Sequence, residues 1–123
     1  MLTIRKEQME VFDSYMLSRF ESNVLADLKR TFPAKCEEQG DEAARAAIHD
    51  GIQRAEAYGV TIEYDVERFI FLMYFLEPAF DREPRIKGIL SDPAFNGRGK
   101  MDRVCALAEE ELGVPKGKWP RTR

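Results

Sequence analysis

The chain has 123 residues, 44% of them hydrophobic and 33% charged, with two cysteines, one histidine and a formal net charge of −3. That length holds one domain with a true core and no need of disulfide or metal staples, and the composition excludes a disordered chain. Residues 114–123, VPKGKWPRTR, carry four basic residues and no acid, which leaves 15 basic against 22 acidic in residues 1–113. A single domain over 1–113 with an acidic surplus, followed by a basic tail over 114–123, argues against nucleic-acid binding. The tail reads as a flexible end or a docking peptide.

Cys36 and Cys105 have neither CxxC spacing nor a neighbouring histidine. No zinc site is expected from them, and two buried free thiols in a reducing cytoplasm is the preferred reading over a disulfide. The opening MLTIRKEQMEVF puts charge where a signal peptide needs a continuous apolar segment. A cytoplasmic location is therefore expected.

In chain order, Thr3 is placed to cap a first helix from about Arg5, with Glu7 in its first turn. Met9, Phe12, Met16 and Phe20, then Val24, Leu25, Leu28 and Phe32, recur at the spacing of an amphipathic helix. Steps of four residues overshoot the 3.6-residue turn by about 40° each, so this helix should bend or break near Ser22 and Asn23. Pro33 should end it. Ala34–Gly40 reads as a connector. Asp41 then caps DEAARAAIHDGIQRAEAYG, whose stripe of Ala44, Ala47 or Ile48, Gly51 or Ile52, and Ala55 suits a closely packed neighbour. Gly51 weakens a helix interior by about 1 kcal/mol relative to alanine, so it marks a close contact or a weak point. Gly59 closes the helix in a left-handed conformation, and only Val60 and Thr61 separate it from the next.

The next stretch, TIEYDVERFIFLMYFLEP from Thr61 to Pro78, organises the rest. Thr61 is a candidate cap, Glu63 and Asp65 put negative charge at the positive end of the helix dipole, and Pro78 stops the helix near Leu76 or Glu77. Phe69 to Leu76 are all apolar or aromatic and cover every face, so this central helix must be buried all round. It is too short and too charged to span a bilayer, so no membrane insertion is expected. Val66, Phe69, Ile70, Met73 and Leu76 form the regular inward stripe. The remaining Phe71, Tyr74 and Phe75 then ask for a homodimer or a foreign protein surface. Ala79–Glu83 is a turn, and Asp81 with Pro84 opens a short helix, PRIKGIL. An irregular connection follows, then a last helix over about Lys100–Leu112 burying Met101, Val104, Cys105, Ala108 and Leu112, with Gly113 after it. No segment alternates with a period of two. The fold class is all-α, a compact bundle of five or six helices around the central helix at about 62–77.

Sites of chemistry are weak. GRGK at Gly97–Lys100 lacks the first glycine and the final Ser or Thr of a phosphate loop, Ala94 and Met101 standing there. His49 beside Asp50 lies on a helix, where adjacent residues point about 100° apart. Glu63, Asp65 and Glu67, and Glu77 with Asp81, are paired carboxylates that suit helix-end charge and a solvated face better than acid–base work. No enzyme, cofactor or metal is expected.

The segment GIQRAEAYGVTIEYDVERFIFLM, Gly51 to Met73, with IRKEQMEVF and the Phe80-Asp81 pair, resembles small bacterial proteins encoded beside type VI secretion toxins and their PAAR spike proteins. The matching positions are Gly51, Ile52, Arg54, Ala55, Tyr58, Gly59, Thr61, Asp65, Val66, Leu72 and Met73, in about two thirds of the chain. This chain departs from the pattern at Glu77, where a glycine precedes the proline. The resemblance implies a non-enzymatic adaptor or co-chaperone for loading an effector, its partner the effector, a chaperone or a PAAR protein. An immunity protein that neutralises the toxin is the alternative. Phe71, Tyr74, Phe75, Glu77 and Asp81 are the candidate partner-binding residues.

Overall fold

The computed structural model describes residues 14–120, and among them the protein is all-helical, with no strand. The expected cap at Thr3 and the apolar positions Met9 and Phe12 lie outside the described residues, as do Arg121 and Arg123. Six α-helices are described: α1 Ser14–Thr31, α2 Pro33–Gln39, α3 Asp41–Ala57, α4 Glu63–Phe75, α5 Pro84–Leu90 and α6 Gly97–Glu111, with a 3₁₀ turn at Phe80–Arg82.

Helix α1 does not break at Ser22 and Asn23 but runs unbroken for 18 residues. Phe20, Val24, Leu25 and Leu28 are all buried. The drift of their stripe is absorbed because α1 packs against α2, α3 and α4 together, so a wide arc of its surface is covered. Pro33 ends α1 and immediately serves as the first residue of α2, where its missing N–H would have had no partner. The expected connector is thus a short helix, its one buried residue Cys36.

Asp41 sits inside the first turn of α3, where its charge meets the helix dipole, and the cap position belongs to Gly40. Helices α3 and α4 run antiparallel. Tyr58 lies against Phe69, Gly51 against Ile70 and Met73, and Ala47 shares a surface groove with Met73 and Leu76. A Cβ at Gly51 would lie 2.7 Å from Ile70 Cγ1 and 3.0 Å from Met73 Sδ, the close approach expected of this glycine. Gly59 turns the chain at φ 83°, a conformation that a side chain would oppose.

Thr61 does not cap α4; Ile62 holds the cap position without a side-chain bond, and its carbonyl accepts from Val66 N–H at 2.9 Å. From Asp65 to Tyr74 every residue of α4 is buried. Helices α1, α3 and α6 all pack on it. Glu83, not Asp81, caps α5 through Arg85 and Ile86 N–H, and Asn96 caps α6 through Gly99 N–H at 2.8 Å, so that α6 starts at Gly97. The tail does not leave the body at Val114. Val114 is 4% exposed and its N–H reaches Ala108 O at 3.1 Å, while Pro120 is buried and Trp119 packs partly against the core.

Candidate functional site

The aromatic residues expected to face a partner are covered by the chain itself. Phe71 has no accessible surface and Tyr74 is 8% exposed. Phe32, just beyond α1, lies against all three rings, with centroids 5.5 Å from Phe71, 5.6 Å from Tyr74 and 4.8 Å from Phe75. Trp119 covers Phe75 from the other side at 5.4 Å, edge to face, and its indole N–H donates to Glu109 at 2.6 Å. Phe71 is therefore a core residue and not an anchor. Tyr74 keeps one edge in a groove, Phe75 is half-buried and Glu77 is exposed.

That groove, of about 530 Å³, lies where α4 ends. Its apolar surface comes from Ala47 on α3 and from Met73, Tyr74, Leu76 and Pro78. Lys35, Glu38 and Gln39 of α2 form one wall; Asp50 and Glu77 complete the rim. The physical origin of the opening is Pro78, which stops α4 and turns the chain before its last apolar residues are covered. Two polar contacts tie α2 to α4. Tyr74 OH donates to Gln39 Oε1 at 2.6 Å, and Lys35 Nζ donates to Tyr74 O, placing a cation at the negative end of the α4 dipole. Burial, aided by the nearby Cys36, raises the Tyr74 pKa, so its phenol stays a donor at neutral pH.

Asp81 lies beyond the groove and is buried, which corrects its reading as a solvated partner-binding residue. Its carboxylate accepts from Arg54 and from Tyr58 OH, the latter at 2.8 Å. Arg54 also reaches Pro78 O at 2.8 Å and Asp50 at 3.1 Å and lies over the Phe69 ring. Burial and the bond to Asp81 push the Tyr58 phenol up to about 12. This cluster fixes the turn after α4 rather than offering a free carboxylate.

The acidic residues at the start of α4 also differ from expectation. Asp65 and Glu67 are each 1% exposed and Arg68 6%. Asp65 Oδ1 accepts from Arg68 at 2.8 Å and from Arg98 at 2.7 Å, and Arg68 also pairs with Asp102 at 3.0 Å. Both guanidinium groups lie over the Tyr64 ring. A buried carboxylate needs such partners, and Arg98 and Asp102 arrive from α6, more than thirty residues away in sequence. Nothing in the local pattern announces them. GRGK contributes to this packing and to no phosphate loop: Lys100 Nζ donates to Tyr58 O at 2.8 Å, and Gly97 lies so close to Gly59 that a Cβ would stand 2.6 Å from its carbonyl oxygen.

His49 is exposed, its ring nitrogens facing Glu21 at 3.2 Å and Gln53 at 3.3 Å, outside the groove lining. Cys36 and Cys105 are both buried free thiols, and burial pushes Cys105 up to about 12 against the pull of Arg68. Among the described residues no group of three His, Cys, Asp or Glu could hold a metal ion, and no helix is long and apolar enough to cross a membrane. Of the candidates read from sequence, the structure brings Tyr74 and Glu77 together in the groove and separates them from Phe71 and Asp81. It adds Lys35, Glu38, Ala47 and Asp50, which become visible only when α2 and α3 are docked on α4. No protein-family model matches the chain, and no curated protein or solved structure matches it either.

Proposed function

We propose that the protein is a non-enzymatic adaptor that docks a partner protein at the end of its central helix, acting in the cytoplasm in the loading of a type VI secretion effector. The observation that carries the docking part is the groove: Met73, Tyr74, Leu76 and Pro78 present apolar surface beside the exposed Glu38 and Glu77. Apolar surface rimmed by polar groups is the usual anatomy of a protein-recognition patch. The type VI assignment rests on the resemblance of Gly51 to Met73 and names the partner as the effector, its chaperone or a PAAR spike protein.

The test is co-expression with the neighbouring genes followed by capture of the tagged chain. Retention of a chaperone, effector loading region or spike protein, with no protection of poisoned cells, supports the adaptor. Capture of the toxin's catalytic domain with loss of toxicity replaces it with immunity. A chain that binds none of these products, or that only forms a homodimer by light scattering, removes the proposal.

A further inference from the structure

We infer that the groove at the end of α4 takes a basic partner segment, with an apolar side chain seated on Met73 and Leu76 and lysine or arginine residues on either side of it. This deepens the docking proposal and rests on it. Charge is left over in this groove after the chain has made its own pairs. Among the described residues Lys35 is the one cation lining the groove, and its ammonium group donates to the Tyr74 carbonyl. Asp50, on the opposite wall, is answered by Arg54 at 3.1 Å. Glu38 and Glu77 are exposed, with no hydrogen bond or ion pair to any described residue. The groove therefore presents an apolar floor with an excess of negative charge in its lining, Glu38 and Glu77 against Lys35. Its volume of about 530 Å³ has room for a few side chains. Only a segment that is both apolar and cationic answers both features. A neutral apolar segment leaves the carboxylates to be desolvated without partners, and an acidic one is repelled.

The experiment uses the full chain and three labelled amphipathic peptides, followed by fluorescence anisotropy at low and moderate salt. One peptide carries leucines flanked by lysines, the second replaces lysine by glutamate, and the third replaces leucine by serine. The first should bind, more weakly as salt rises, and the other two should bind at least about tenfold more weakly. The E38K/E77K variant should lose about tenfold in affinity for the first peptide, whereas E56K/E110K, the same charge change at exposed positions outside the groove, should stay within about twofold. Circular dichroism checks that both variants are folded. Equal loss in the two variants, equal binding of the serine peptide, or no binding of any peptide overturns the inference. With the co-expressed partner the two proposals separate. Loss of the partner in E38K/E77K supports both. Retention there but loss in folded Ala47→Arg or Pro78→Arg, which fill the groove, overturns the charge inference and leaves docking standing; retention in all of them overturns both.

Discussion

The two ends of the central helix both carry acidic residues and are finished in opposite ways. At its start, Asp65 and Arg68 are buried and paired with Arg98 and Asp102 from α6, with Gly97 closing onto Gly59, so that the charges are paired within the chain while Asp65 Oδ2 and Arg68 Nε make no hydrogen bond. At its finish, α4 is cut off by Pro78, and Glu38 and Glu77 stay exposed beside Met73 and Leu76. The difference teaches that charge on a helix does not reveal its use. A carboxylate that another element can reach becomes part of the core, and one that none reaches at a truncated end stays exposed.

The largest expected effect breaks the closed end. Arg68→Ala leaves Asp65 buried with Arg98 as its one cation among the described residues and should lower stability by about 3 kcal/mol, read from the urea midpoint. A change below about 1 kcal/mol would mean that the cluster is hydrated and the two ends are alike. Gly97→Ala tests the same end through its backbone. Alanine is the better helix former, yet its Cβ would meet the Gly59 carbonyl and the Val60 Cα, so a loss of about 2 kcal/mol is expected where propensity alone predicts a gain.

The open end should be softer. Trp119→Ala uncovers Phe75 and removes the bond to Glu109, which should reduce stability by about 1.5 kcal/mol. Trp119 is the single tryptophan of the chain, so its fluorescence reports this contact directly. Emission already at the wavelength of a solvated indole in the wild-type protein would show that the tail does not cover Phe75.

A further effect is alkaline. Cys105 and Tyr58 ionise at about 9 and 10 when unfolded and are both held up to about 12 in the fold, mainly by burial. The unfolded chain therefore loses these protons first, and their contribution to stability, constant below about pH 9, should fall as pH rises from 9 towards 12. Urea midpoints at successive pH values check this. Cys105→Ala should make the fall between pH 9 and 12 shallower, with Cys36, also raised by burial, keeping a weaker onset near 9, and an unchanged slope would assign the loss to other groups.

Much was determined by sequence alone because it is local. The 3.6-residue period, Pro78 as a stop, the left-handed Gly59 and the tight Gly51 all follow from backbone geometry and side-chain size within a few residues, and an apolar run on every face can only belong to a buried helix. Which surface covers that helix is not local. Phe71, Tyr74 and Phe75 read as excess because Phe32, which lies against all three, is some forty residues upstream, and Trp119, which covers Phe75, more than forty downstream, beyond any periodicity that could connect them. The same holds for Asp65, whose partner Arg98 comes from α6, and for the groove, whose walls belong to α2 and α3. Tertiary packing decided these because burial and charge pairing depend on which elements meet in space, and a helix carries the pattern of its own faces but no record of its neighbours.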